Sequence, residues 1–257
     1  MHMKQRITTS LIALAALCAM NSALASDKDL PPVIKSLQSQ GFSDVREFPA
    51  GAGLRGFAGV AAQEPLAVYV TPDGNGIVGT RLSPDGKRVD EQRITDLVAK
   101  PMGDAMFSKL DASAWVLDGK ANAPRIVYTF SDPNCPYCHK FWDAARPWVD
   151  AGKVQLRHVL VGVIKADSST KAAAILGARD KTAALLENEK KFASGGIKPA
   201  ASVSADIRAK LDANQMLMTE LGFRGTPGII FRDEQGLAQR LGGMPQGDAM
   251  KAVMGDK

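Results

Sequence analysis

The chain has 257 residues, 45% of them hydrophobic and 23% charged. That suits a folded protein of one or two domains. The net charge of +5 is mild, and it does not argue for a nucleic-acid partner.

The chain opens on a basic segment, Met1-His2-Met3-Lys4-Gln5-Arg6, followed by an apolar run from Leu11 to Met20 and by Ala23-Leu24-Ala25 before Ser26. This reads as a secretory signal peptide over 1–25 rather than a membrane span. Leu17 stands before Cys18 where a lipoprotein would carry a small residue. No later stretch is long and apolar enough to cross a bilayer. Without residues 1–25 the chain carries 30 basic and 27 acidic side chains, and its remaining cysteines are Cys135 and Cys138. In an oxidising compartment, one such pair in a chain of this size points to redox function rather than to stapling.

Residues 26–90 read as a small helix-plus-meander unit. Asp29-Leu30-Pro31-Pro32 opens a helix with Val33, Ile34 and Leu37 on one face, and Gly41 ends it. Short strands are expected around Val45–Phe48, Leu54–Ala61, Leu66–Val70 and Gly76–Leu82. The turns Thr71-Pro72-Asp73-Gly74 and Ser83-Pro84-Asp85-Gly86 carry proline and glycine where turns need them. So small a unit has a marginal core, and pairing its edge with a second copy would relieve that. It is expected to be a dimerisation domain. Residues 91–113 read as a linker helix that Pro101 confines to Met102–Ala112, with Met102, Met106 and Leu110 at helical spacing.

The second domain, 114–257, starts at Trp115-Val116-Leu117. The strand Arg125–Phe130 runs into Ser131-Asp132-Pro133-Asn134-Cys135-Pro136-Tyr137-Cys138-His139, and a helix runs out through Phe141 and Trp142 until Pro147 kinks or ends it. Val154–Ile164 is a second apolar strand, so strand, helix and strand make a βαβ unit with a parallel pair. An alanine-rich helical stretch over 168–222 breaks at Ser194-Gly195-Gly196. Then come Thr226-Pro227, an apolar strand, a partner strand over Leu237–Leu241 and a last helix from about Pro245 to Met254.

Cys135 falls at the mouth of the helix with Pro136 at its first position, where a missing N–H costs nothing. The free N–H groups of the first turn and the helix dipole favour a thiolate there. Cys138 lies one turn further in, on the same face and more buried. Cys135 is therefore expected to attack a partner's sulfur and Cys138 to release the mixed disulfide, with Pro136 and Tyr137 tuning the potential. Other readings stand beside this one. Cys-Pro-Tyr-Cys-His also matches a c-type haem attachment signature, against which the flanking strand and long helix argue. A zinc site would need His139 and His158, and His139 adjoins Cys138 awkwardly. A static disulfide this short closes almost no loop. Asp132 reads as a tuner of the thiol or, better, as a turn residue with Pro133. His158, on a strand, reads as a packed residue, and Phe141 and Trp142 as core.

This arrangement resembles the thioredoxin superfamily, and in particular the DsbC/DsbG family of periplasmic disulfide isomerases. The likeness is carried by Cys135-Pro136-Tyr137-Cys138 with Phe141-Trp142, by Ala145–Arg157, by Trp115–Lys120, by Leu160–Lys165 and by Thr226-Pro227. Pro136 stands where DsbC proteins typically have glycine. His139 departs from the DsbG pattern toward that of DsbC or the oxidase DsbA. The resemblance implies an α+β protein: an N-terminal cystatin-like dimerisation domain, a linker helix and a C-terminal thioredoxin-like domain with a helical insertion. It implies a homodimer in the periplasm, Cys135 as nucleophile, Cys138 as resolving thiol, Pro227 cis beside the pair and Thr226 offering its backbone to a substrate strand. It also makes His139 a redox-tuning residue. No cofactor beyond the Cys135–Cys138 pair is implied. The implied activity is isomerisation or reduction of wrong disulfides and reduction of sulfenylated cysteines in exported proteins, with a membrane thiol reductant of the DsbD type as electron source. A DsbA-like oxidase and a non-catalytic holdase chaperone are the rivals.

Overall fold

The computed structural model describes residues 29–256. The expected signal segment, residues 1–25, lies outside them together with Cys18.

The N-terminal part is helix α1 (Pro32–Ser39) and a four-stranded antiparallel meander of β1 (Ser43–Gly51), β2 (Leu54–Ala61), β3 (Glu64–Val70) and β4 (Gly76–Val78), in sheet order β1-β2-β3-β4. β1 is longer than the sequence suggests and β4 shorter. Alternation along the strands gives the sheet two apolar faces. Phe57, Val68 and Val70 pack with Ile34 of α1 on one face. Ala58, Ala67 and Tyr69 pack with Val98 on the other.

Val98 belongs to a continuous helical segment made of α2 (Glu91–Ile94), a π-helical stretch (Thr95–Ala99) and α3 (Lys100–Ala112). Pro101 does not confine the helix as expected. The wider π register just before it absorbs the missing N–H: Lys100 N–H reaches back five residues to the Thr95 carbonyl. Nor is the segment only a linker. Its start completes the N-terminal core through Val98, and its end joins the next core through Met106, Phe107 and Leu110. Asp90 fixes the point of entry, accepting from Tyr69 Oη at 3.0 Å and from Arg81 Nε and Nη2 at 2.8 and 3.0 Å.

The C-terminal part is a five-stranded sheet in the order β5-β7-β6-β8-β9: β5 (Trp115–Asp118), β6 (Arg125–Ser131), β7 (Val154–Leu160), β8 (Gly228–Arg232) and β9 (Ala238–Gly242). β6 and β7 run parallel, and the other pairs are antiparallel. Helix α4 (Pro136–Asp150) connects the parallel pair. Three helices, α5 (Ser168–Leu176), α6 (Lys181–Lys190) and α7 (Ala205–Glu220), form the insertion between β7 and β8, and α8 (Asp248–Met254) closes the chain. Tyr128 and Phe130 of β6 face α3 and α7, while Val127 faces Phe141, Ala145 and Trp148 of α4. Both faces of the central strand are therefore covered.

Pro147 does not end α4. It and Asp143, whose carbonyl loses its partner, both lie on the exposed face, where water can satisfy that oxygen. The cost of an interior proline, ~3 kcal/mol, is offset by burial of Phe141, Ala145, Trp148 and Val149 on the other face.

α3 approaches β9 closely at Gly103, where a Cβ would stand 2.8 Å from that of Ala238. Gly103→Leu is expected to force the two apart and to destabilise the protein by about 1–3 kcal/mol, as for overpacking in general. Urea unfolding of the variant and the wild type measures it.

Candidate active site

The loop after β6 turns sharply into α4, and Cys135 is the N-cap, with φ −80° and ψ 114°. Its Sγ accepts the Cys138 backbone N–H at 3.3 Å, in the place where a serine or aspartate oxygen usually sits. Its carbonyl accepts His139 N–H at 3.1 Å, the first bond of the helix. Pro136, at the first helical position, and Tyr137, 57% exposed, lie on the solvent side. Cys138 faces inward, and both cysteines are buried, Cys135 at 2% and Cys138 at 4% exposed, so exposed surface does not separate them as expected.

The two thiols are driven apart in acidity. A hydrogen bond from the Cys138 thiol, opposed by burial and aided by Thr226 and the first-turn N–H groups, brings Cys135 down to about 6. Burial and the neighbouring Cys135 sulfur push Cys138 well above the ordinary thiol range. One sulfur is thus a thiolate near neutral pH, and the other holds its proton.

The Thr226–Pro227 peptide is cis, and Pro227 is buried. The Thr226 carbonyl accepts the Cys135 thiol at 3.3 Å. The Thr226 hydroxyl is buried with no partner of good geometry, and it lies against both sulfurs, favouring the ionised form of each. Beside Thr226 opens a cavity of about 640 Å³, walled by Phe223 and Gly242 on one side and by Ala62 and Gln63 of the β2–β3 turn on the other.

His139 Nδ1 lies 2.9 Å from Glu189 Oε2 of α6, and its ring stacks on Phe192 at 4.4 Å between planes only 3° apart. Asp132 proves to be the anchor of the loop. Its carboxylate accepts from Asn134 N–H (2.8 Å), Val163 N–H (2.6 Å), Ile164 N–H (2.9 Å) and Ser168 Oγ (2.8 Å). Asn134 in turn accepts from the buried Lys171 ammonium at 2.7 Å, and Asn188 donates to the Pro133 carbonyl at 3.2 Å. The sequence reading missed Asn134, Lys171, Asn188 and Glu189. Their partners lie 33 or more residues apart in most cases, and no local spacing reveals such a contact.

A short N-cap sulfur with a protonated partner one turn away can do thiol–disulfide exchange. Comparison with known proteins agrees. The thioredoxin-like domain family matches residues 118–257. The thiol:disulfide interchange protein DsbG of Pseudomonas aeruginosa is 40% identical over 255 residues, 98% of this chain and 100% of that protein. The chain belongs to the DsbG family. The Escherichia coli DsbG is 38% identical over 245 residues, 94% of this chain and 98% of that one. Proteus mirabilis ScsC, in a transitional conformation, superposes with a TM-score of 0.50 at 18% identity over 61% of this chain and 77% of that one, a likeness of fold alone. As a DsbG family member the protein is a thiol:disulfide oxidoreductase with a thioredoxin fold and a redox cysteine pair.

Alkylation of Cys135 is expected to titrate with a midpoint at about 6. Because its acidity is raised, reactivity is present above that pH and lost as acid protonates the sulfur. Cys138 is expected to stay unreactive through neutral pH. Thr226→Val should move the Cys135 midpoint upward, toward that of an ordinary thiol. The pH dependence of iodoacetamide labelling, site by site, checks all three.

Proposed function

We propose that the protein is a periplasmic, homodimeric disulfide isomerase and reductase that also reduces sulfenylated cysteines on exported proteins. The observation that carries this is the opposed acidity of the pair. The Cys135 thiolate attacks a client disulfide and forms a mixed disulfide. Cys138 then gives up its proton, attacks Cys135 and releases the client as a thiolate, leaving the Cys135–Cys138 disulfide. With a sulfenic acid, the Cys135 thiolate forms the same mixed disulfide as the hydroxyl leaves with a proton as water. Electrons then come from a membrane thiol donor of the DsbD type.

Thr226 and Pro227 hold the client. Once Cys135 is ionised it has no hydrogen to give the Thr226 carbonyl, and that oxygen becomes an acceptor for an extended client strand. The neighbouring cavity gives the strand room. Tyr137, Val163 and Ile164, at 57, 39 and 45% exposed, offer apolar contact to an unfolded client. His139, Pro136 and Tyr137 set the redox poise.

The N-terminal unit pairs the subunits. β4 is an edge strand, and Ile77, Val78 and Leu82 around it are 53, 55 and 57% exposed. An unpaired edge bearing apolar side chains is the surface a second copy would cover.

Two outcomes test this. Cys138→Ala is expected to accumulate mixed disulfides with periplasmic proteins, visible on non-reducing gels, and Cys135→Ala to yield none; equal yields from both variants would overturn the assigned roles. Val78→Lys should convert the dimer to a monomer in sedimentation experiments while leaving reduction of a small disulfide intact.

A further inference from the structure

The cavity beside Thr226 is positively charged. Two arginines line it, Arg224 and Arg240, and no acidic side chain does so among the described residues. Arg240 is committed within the chain. Its guanidinium donates to the Leu221 and Gln63 carbonyls at 3.0 and 2.8 Å and pairs with Glu64. Arg224 is not. It is exposed, and among the described residues it has neither a hydrogen bond nor an ion pair. A guanidinium fork left open close to Thr226 is suited to a carboxylate from another chain.

The walls are bare where such a chain would pass. Gly225 and Gly242 both line the cavity. Neither has the positive φ that calls for glycine, and a Cβ built on either meets nothing within 4 Å. The protein's own fold would therefore accept a side chain at both positions, and glycine in a strand such as β9 is less stable than alanine. Gly222 and Gly243, which line the same cavity, differ: their φ of 82° and 86° accounts for them. A glycine required neither by its own conformation nor by its own packing marks a place where another backbone comes close.

That other backbone would find partners. The N–H groups of Arg224, Gly225 and Thr226 make no backbone hydrogen bond among the described residues. The chain is paired again only from Gly228, with Phe130 on one side and Gly242 on the other. Across the cavity stands the β2–β3 turn, where the Gln63 carboxamide is also without a partner among the described residues. The cavity thus offers unpaired backbone, a stretch of wall without side chains, a free cation and, from the N-terminal half, a free amide.

We propose that this cavity is a subsite for an extended client segment that bears an acidic side chain close to its reactive cysteine. Arg224 pairs with the carboxylate, and Gly225 and Gly242 let the client's backbone pass. The inference rests on the reading of Thr226 as the residue that holds the client strand. Arg224 touches the client and not the reacting sulfurs, so it decides which cysteines are presented to Cys135. Because the turn bearing Gln63 closes the cavity, the choice of client is shared by the two halves of the chain.

Short peptides with one cysteine, held as a disulfide with thionitrobenzoate, test this. The Cys135 thiolate attacks the peptide sulfur, the bond between them forms, and thionitrobenzoate leaves with the electron pair as a coloured thiolate. A glutamate is moved through the positions flanking the cysteine, with lysine at the same positions for comparison. At its best position glutamate is expected to react about fivefold faster than lysine at low salt, the scale of one exposed ion pair, and added salt should close the gap. Arg224→Glu should reverse the order. Arg179→Glu makes the same change of charge beside Trp115, at the opposite edge of the sheet, and should not reverse it. Gly242→Val should slow every peptide about tenfold by blocking the wall, with the rate toward a neutral dipyridyl disulfide and the urea midpoint no lower than in the wild type. Equal glutamate-to-lysine ratios in the two charge variants would overturn the proposal, as would wild-type peptide rates in Gly242→Val. A peptide N-methylated on either side of its cysteine that still reacts at the full rate would instead overturn the underlying reading of Thr226.

Discussion

The N–H of Cys138 pointing into the sulfur of Cys135 is the contact on which the site depends. A helix start leaves its first N–H groups without partners in the helix. Oxygen side chains usually answer them; here a sulfur does, and it answers best when charged. The same geometry places the second sulfur one turn inward, where burial and the first sulfur's charge keep it protonated. The opposite acidities follow largely from where one helix begins and which way it faces, with Thr226, outside the helix, adding to the fall at Cys135.

Holding that helix mouth in place takes a large share of the buried polar side chains: Asp132, Asn134, Ser168, Lys171, Asn188 and Glu189. Asp132 accepts four hydrogen bonds, two of them from the backbone after β7 and one from Ser168 at the start of the insertion. Asn188 and Glu189 of α6 reach the loop at Pro133 and the helix at His139. The insertion is thus part of the site's foundation. A buried carboxylate with four donors is stable where it stands, and the loop it anchors cannot shift without leaving several of those donors unpaired.

Much of this was legible in the residues. The Cys-Pro-Tyr-Cys spacing, proline at the helix start and the apolar strands on either side place the pair, because each obeys a local rule. The parallel pairing of β6 and β7 and the helical character of the insertion follow in the same way; the number of its helices does not. Two prolines misled: Pro101 and Pro147 obey their local rule only where no alternative hydrogen-bond register or solvent is at hand, and the π stretch and the exposed face supply these. His158 is the packed strand residue that the sequence suggests. Its partners, Ser131 and Asp118, come from two other strands, and only the sheet order β5-β7-β6 brings all three side by side.

The two halves of the chain meet at two places of different character. One is packing: the helical segment 91–112 lends Val98 to one core and Leu110 to the other, and Gly103 lets it lie close on β9. The other is polar and exposed: Arg240 of β9 donates to the Leu221 carbonyl and to the Gln63 carbonyl and pairs with Glu64. Packing of that kind is worth several kcal/mol, while an exposed ion pair is worth about 0–1 kcal/mol. The helix must therefore set the relation between the halves, and Arg240 trims it. That trimming reaches the site, because Gln63, which Arg240 holds, is a wall of the cavity beside Thr226. The turn bearing Gln63 is itself held taut, with Ala62 and Gln63 both in the left-handed region at φ 49° and 66°. A turn so shaped keeps its carbonyls aimed in one direction, and one of them is the Gln63 carbonyl that Arg240 grips. The width of the space beside the reactive sulfur is thereby set by the N-terminal half as well as by the thioredoxin fold.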